Sequence, residues 1–527
     1  MAEIVTDVVV VGFGGAGAAT ALEARENGAD VVVLEARTGG GATTISGGIY
    51  YAGGGTSIQR DAGIADTPAQ MLDYLTFEVG ESVAPETLRR FVDQSTDNLE
   101  WIMGHGVPFD ASVCPYKTSF PTNDYYLYFS GSEASGAARA VTPPVQRGHR
   151  AKGRGASGKM IFEPLAAATR RSGADVLLQT WVTDLVVEEG RVVGVRARTL
   201  RDAPARVRAL HARLAKLSSK PGVYAPQLRA ALEYAIRRLE RRHGTDLVVR
   251  ARSGVVLTTG GFVSSRELMA EHAPEFTGGI PLGTALDDGK GITMATELGA
   301  GTAHMNSVSA WRFISPPSGF LSGLIVDRAG NRIVDESRYG AAVGDALVRK
   351  AGRHGWLLVD APLDAESRAL LPKQSLWFQR IQATGLLRTA VRGDTIEDVA
   401  RRAGIDPDGL RRTVDATNDA IRDGKPDEMD KYDDFRRVLE TGPFTLYDVG
   451  VKPNPMNPCP MLTLGGLTVD ETSGAVLRTD GSTIDGLYAA GRAAAGVCAT
   501  SYVSGLSIAD CIFAGRRAGR SAALAPA

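Results

Sequence analysis

The sequence predicts an α/β fold: a parallel sheet that holds a nucleotide, with a second, α+β domain inserted into it. Three observations carry this expectation. The chain opens with a valine run, Val8 to Val11, then Gly12-Phe13-Gly14-Gly15-Ala16-Gly17, a helix-like segment from Ala18 to Asn27, and an apolar run, Val31 to Leu34, ending at Glu35. Strand patterns closed by glycine turns return far downstream, at 254–262 and 486–492. Between them, residues 303 to 440 mix strand and helix patterns of their own. Short apolar runs bounded by turns read as strands covered on both faces, as in a parallel sheet.

The first unit is strand, glycine turn, helix, strand, acid, the Rossmann-like arrangement of a dinucleotide site. Gly12 permits the tight turn, Gly14 lets the backbone approach a pyrophosphate, and Gly17 lets the helix pack closely on the strand. Gly15 and Ala16 open the helix, whose first N–H groups and partial positive charge suit phosphates. Glu35, followed by Ala36, stands where a carboxylate can accept hydrogen bonds from ribose hydroxyls. Residues 38 to 55 read as a glycine-rich loop. Gly41, Ala42, Thr43, Ser46, Gly47 and Gly48 offer amides and hydroxyls to the same ligand, with a flexible linker as the plainer alternative.

Helical spacing of Met71, Tyr74 and Leu75, then of Leu88, Phe91, Leu99 and Ile102, predicts helices over 68–105. The aromatic-rich stretch from Asp110 to Ser130 reads as packing, or as the lid of an apolar pocket. His149 reads as a structural residue or a contact near the nucleotide. A helix over 160–171 and strands over 174–179, 182–187 and 192–197 follow. Residues 201–246 then interrupt the pattern as a helical hairpin. Eleven Lys or Arg stand in 201–243 against Asp202, Glu233 and Glu240. Leu210, Leu214 and Leu217 form one stripe, Leu228, Leu232, Ile236 and Leu239 another, and Ser218 to Pro226 separates them. The stripes imply packing, or an oligomer contact; the charge leaves docking to an acidic partner open. Domain limits follow as 1–275 with 441–527 for the nucleotide part, and 276–440 for the inserted domain.

A length of 527 residues exceeds one core. Apolar content of 43%, charged content of 23% and a net charge of −1 describe an ordinary globular chain with no global attraction to nucleic acid. Cys114, Cys459, Cys498 and Cys511 are far apart, which argues against a metal site or a disulfide framework and fits a reducing, cytoplasmic location. The chain enters its first strand almost at once, so no signal peptide is expected, and no apolar run is long enough for a membrane span.

Four distant pieces then match one family: the N-terminal unit, the glycines of 39–48, Leu257-Thr258-Thr259-Gly260-Gly261, and Gly486-Leu487-Tyr488-Ala489-Ala490-Gly491. Together they resemble the fumarate reductase and succinate dehydrogenase flavoproteins over nearly the whole chain. The resemblance implies FAD, an FAD-binding domain of the glutathione-reductase type, and an inserted capping, catalytic domain. It implies cofactor contacts at Thr259, Gly260, Gly261, Asp288, Gly491, Arg492, Ser507 and Ile508 as well. The family's covalent members attach flavin through a His beside the second glycine loop. Gly39 to Thr44 holds none, so non-covalent FAD is expected.

Dicarboxylate members of that family carry cations in the site. Here the matching places read Met461-Leu462-Thr463-Leu464-Gly465-Gly466 and Tyr502, with Arg338 in Arg332 to Gly340 as the one cation a shifted match could supply. Burying a dicarboxylate without cations is costly. The altered positions resemble the 3-ketosteroid dehydrogenases instead, above all the Δ4-(5α) group, with Tyr502-Val503-Ser504-Gly505 before the last helix and Tyr339 after Glu336. That resemblance implies an apolar steroid ketone as substrate and an electron acceptor the motifs do not specify. Tyr502, helped by a backbone N–H near Gly465 or Gly466, would hold the 3-keto oxygen. Ser504, relayed through Tyr339, would take the C4 proton, and flavin N5 the C5 hydride. A Δ1-dehydrogenase and a reductase of a small unsaturated acid such as fumarate or urocanate are the alternatives.

Overall fold

The computed structural model describes residues 2–223, 225–454 and 456–526. Its largest sheet has eight strands and is built around Ala2–Val11. That strand pairs in parallel with Val31–Glu35 on one side and Thr245–Leu257 on the other, with Val9 opposite both Val32 and Val255. Thr483–Ala489 extends the sheet beside Thr245–Leu257, so the last part of the chain completes the sheet begun by the first. Val8, Val9 and Val10 are fully buried, as strands covered on both faces require.

The helix Gly15–Glu26 lies against the C-terminal helix Leu506–Leu524. Small residues set this approach: a Cβ at Gly515 would meet Ala16 O at 2.8 Å and one at Gly519 would meet Thr20 O at 2.4 Å. Arg516 and Arg520 reach across to the buried Glu23 carboxylate.

A second body has its own antiparallel sheet, in the order Leu324–Val326, Trp356–Val359, Phe444–Asp448, Val391–Gly393, and a separate core running from Val263 to Met461. The boundary expected at 440/441 cuts this sheet, because Phe444–Asp448 pairs on both sides within it. Strand pairing carries the second body past the point where sequence style changes.

Two sequence expectations need correction. Gly41–Ile45, read as loop, forms one helical turn, with Gly40 at its start in the left-handed region (φ +97°). The hairpin exists, as helices Ala205–Val223 and Pro226–His243, but the first continues into the stretch read as the separator, as far as Val223; Tyr224 lies outside the described residues. Its leucine stripes do not all pack inward. Ile236 is buried, whereas Leu210, Leu217 and Leu228 are 47%, 43% and 51% exposed. The hairpin meets the sheet through the Arg37 pairs with Glu233 and Glu240, the His211 bond to Gln179, and packing of Val207 and Leu239 with Trp181, Leu200 and Ala203. No helix among the described residues is long and apolar enough to cross a membrane.

Candidate functional site

One continuous cavity of 1650 Å³ runs from Glu35 at the sheet edge to Tyr502 under the second body. A single small-molecule site takes roughly 300–1000 Å³, so this space suits a large ligand together with a second one.

The sheet end is shaped by glycine. Gly12 sits at φ +103°, and a Cβ there would meet Thr258 O at 2.7 Å. A Cβ at Gly14 would meet only Gly40 O, at 3.9 Å. Protein crowding therefore does not require glycine at 14; the close approach of a ligand to the backbone does. Gly14 caps the helix Gly15–Glu26, whose N-terminus faces the cavity, and Thr43 Oγ1 accepts the Gly15 N–H at 3.1 Å. Glu35 accepts N–H bonds from Phe13 at 3.0 Å and Arg37 at 2.7 Å, which fix its carboxylate at the cavity wall. Thr44 Oγ1, Thr259 Oγ1 and Arg492 Nη1 lie on the wall as buried polar atoms without a protein partner. Open glycine cradle, helix N-terminus and orphaned donors together fit an anionic dinucleotide.

Most residues expected to touch the cofactor line this space: Gly12, Gly14, Gly15, Ala16, Glu35, Ala36, Gly41, Ala42, Thr43, Ser46, Gly47, Gly48, Thr259, Gly260, Asp288, Arg492, Ser507 and Ile508. Burial pushes the Asp288 carboxyl above its ordinary value. Gly17, Gly261 and Gly491 stand behind the wall. A Cβ at Gly17 would meet Gly12 O at 2.0 Å, one at Gly261 would meet Thr463 Oγ1 at 2.3 Å, and one at Gly491 would meet Ala16 Cβ at 2.8 Å. These three shape the cradle through packing.

At the far end the structure brings Tyr339 to the cavity wall with Tyr502 and Ser504, which lie more than 160 residues further along the chain. The Tyr502 and Tyr339 ring centroids are 6.4 Å apart. Trp311 stacks on Tyr502 at 5.3 Å, and Phe313 meets Tyr339 edge-on at 5.5 Å. Burial pushes the Tyr502 phenol well above its ordinary range, and the Gly505 N–H beside it only partly offsets this. Burial likewise raises the Tyr339 and Tyr128 phenols, with the Ser504 hydroxyl acting on both in the opposite sense. Ser504 donates its N–H to Ser130 O at 3.1 Å and accepts Ser130 Oγ–H on its carbonyl at 3.0 Å. The cap of the last helix is Gly505, so Ser504 is not the N-cap residue and its side chain stays available to the cavity.

Reasoning from sequence missed Trp311 and Phe313, placed Tyr128 only within the aromatic stretch, and read Gly505 only as part of the motif that starts at Tyr502. The alternation of Trp311 and Phe313 about Arg312 was a usable signal, since alternate residues of extended chain share a face. Gly465 and Gly466, expected to supply the backbone donor, do not line the cavity. A Cβ at Gly465 would meet His304 O at 2.2 Å, and Gly466 pairs with Ala303. Arg338 is also off the wall and faces Glu78 at 3.7 Å. Arg312 does line this end, but its guanidinium donates to Asn457 Oδ1 and Gly450 O, each at 2.9 Å. Phe120 and Ser119 are the aromatic segment's contribution to the wall, while Tyr116 and Tyr125 pack with Cys114, Ile49 and Tyr128. His149 is buried and structural, between Thr56 Oγ1 and Arg147 O, each at 2.9 Å.

Comparison with known proteins bears on this arrangement. The family model described as an FAD binding domain matches residues 7–508. The 3-oxo-5-alpha-steroid 4-dehydrogenase of Comamonas testosteroni is 35% identical over 495 residues, covering 92% of each chain. The 3-oxosteroid 1-dehydrogenase of Mycolicibacterium smegmatis is 27% identical, covering 94% of this chain and 93% of that one. Among solved structures, 3-ketosteroid-delta4-(5alpha)-dehydrogenase from Rhodococcus jostii RHA1, in complex with 4-androstene-3,17-dione, superposes with a TM-score of 0.81 at 30% identity, covering 99% of this chain and 98% of that one. The cofactor that the glycine cradle fits is FAD, held non-covalently, and the chain belongs to the FAD-binding flavoprotein family of the fumarate reductase and succinate dehydrogenase superfamily.

Proposed function

We propose that the protein is an FAD-dependent 3-ketosteroid dehydrogenase that introduces the Δ4 double bond into a 5α-saturated 3-ketosteroid. One observation carries the reading: Tyr502, Ser504 and Tyr339 converge at an aromatic end of the cavity that fits the flavin, where the Arg312 guanidinium is turned to Asn457 and Gly450 O. Trp311, Phe313, Phe378 and Leu462 offer a flat apolar ligand wide contact there. The second body, which supplies Trp311, Phe313 and Phe378, acts as a cap over that ligand.

Within this reading the Tyr502 hydroxyl and the Gly505 N–H hold the 3-keto oxygen. Both donors are neutral and preorganised, and their bonds strengthen as the oxygen gains charge while C4 loses its proton. Ser504 Oγ accepts that proton and hands its own to the Tyr339 hydroxyl, which passes one onward; a serine alone is far too weak a base. Bound FAD supplies the hydride acceptor for C5. The alternative of a small unsaturated acid loses its best support, because Arg338 is off the wall and Arg312 is already engaged.

Anaerobic mixing with two steroids tests the proposal. A 5α-saturated 3-ketosteroid should bleach the flavin absorbance. Bleaching by a Δ4 3-ketosteroid alone would assign Δ1 chemistry, and re-oxidation of reduced enzyme by fumarate but by no steroid would assign the acid reductase.

A further inference from the structure

The hairpin Ala205–Val223 and Pro226–His243 is foreign to the sheet that carries it. It is inserted between two strands that remain paired at its base, Thr199 opposite Thr245. Leu210, Leu217 and Leu228 point to solvent, while Val207 and Leu239 pack with Trp181, Leu200 and Ala203 at the hairpin's base. Its side toward the cavity is polar. Lys216, Ser218 and Ser219 from the first helix and Glu233, Arg237 and Glu240 from the second all line the flavin cavity.

Its fastenings lie on both sides of that cavity. On one side the Arg37 guanidinium, two residues beyond Glu35, pairs with Glu240 and with Glu233 at 3.1 Å. His211 Nε2 lies 3.1 Å from the same Glu240, and its Nδ1 is 3.0 Å from Gln179 Nε2. Ser218 donates to Glu233, which ties the two helices together. On the other side Arg229 donates to Gly283 O at 2.8 Å, and Gly283 is itself on the cavity wall. The hairpin therefore crosses the cavity at the end marked by Glu35. In a dinucleotide site the acid that ends the second strand takes the ribose of the adenosine half.

We propose that the hairpin is a clasp on the adenosine half of FAD, closed by the Arg37 pairs with Glu233 and Glu240. Its side chains form part of the cofactor site, and opening it is the route by which FAD enters and leaves. This rests on flavin binding alone and holds whichever substrate the enzyme takes.

Two variants of the holoenzyme test it. In E233Q/E240Q the Arg37 pairs lose their charge. In the second, residues 200–244 are replaced by Asn-Gly, a two-residue turn suited to joining the paired Thr199 and Thr245. FAD release, followed by recovery of flavin fluorescence on dilution, should be about tenfold or more faster in each, equivalent to about 1.4 kcal/mol. The melting temperature should fall more in the presence of FAD than after FAD is removed. Should the double variant fail to fold, the turn variant decides. Release within about twofold of the parent in the turn variant overturns the clasp. So does an equal fall in melting temperature with and without FAD, which would assign the hairpin to fold stability only.

Discussion

Tyr502 illustrates how surroundings decide what a side chain can do. Its phenol is buried, stacked under Trp311 and raised well above its ordinary range, so it stays protonated throughout the working pH range. A phenol kept neutral donates a hydrogen bond and does not serve as the resting base, which suits the donor role proposed for Tyr502. Replacing Tyr502 by Phe keeps the ring stack and deletes only the donor. The turnover of a 5α-saturated 3-ketosteroid should drop by roughly 10²–10³-fold, the loss typical of one oxyanion donor. Steroid binding and flavin content should stay near those of the parent; stopped-flow flavin reduction and a binding titration separate the two. An unchanged reduction rate would remove Tyr502 from catalysis. Tyr502, Ser504 and Tyr339 were singled out in sequence because their motifs resemble a known family pattern. Gly505 was not, because a backbone donor leaves no mark on residue type.

At the scale of elements, the short sheet of Ile49–Tyr51, Gly148–Arg150 and Leu127–Tyr128 carries Ser130 toward Ser504 and keeps His149 at its centre. Burial lowers the His149 imidazole to about 4 from an ordinary 6.5. Between those values the unfolded chain binds a proton that the folded protein refuses. Stability from this group is therefore complete above pH 6.5 and is lost as pH falls toward 4, by up to about 3 kcal/mol. Asp335 and Asp510, each raised to about 6 chiefly by burial, act in the opposite sense over part of the same window. The useful quantity is thus the difference between parent and His149→Gln. Urea unfolding at pH 7 and pH 4.5 should show a smaller acid loss in the variant. Parallel losses would exclude His149 as the titrating group. The strands and turn of the first unit were readable beforehand, since buried valine runs and a residue at φ +103° leave few choices of residue, whereas this short sheet was read as loop. The seat of the hairpin was not. Helical periodicity reports which face is apolar, and here part of the side that meets the protein is held by charged groups distant in sequence.

For the whole molecule, the chain's two ends form one nucleotide-binding sheet, and the residues between form a second core. The first core runs from Val8 to Ala522 and the second lies within Val263 to Met461, a span that also lends Tyr339 and Ala341 to the first, so the first must be closed across the second. The cavity that fits FAD is lined by distant pieces of the sheet body: the 12–16 turn, the 41–48 segment, Thr259, Arg492 and the stretch from Tyr502 to Ile508. A ligand that binds only the folded form stabilises by mass action, about 2.7 kcal/mol at a hundredfold excess over its Kd. That gain belongs to the body whose distant segments the ligand joins. Calorimetry of the flavin-free protein should then resolve two transitions, the lower one from the sheet domain. Added FAD should move the lower transition upward with concentration and leave the other in place until they merge. If both transitions shift together from the first addition of FAD, the two cores unfold as one unit. The cap would then share directly in cofactor binding, and the division of labour between sheet and cap would need to be redrawn.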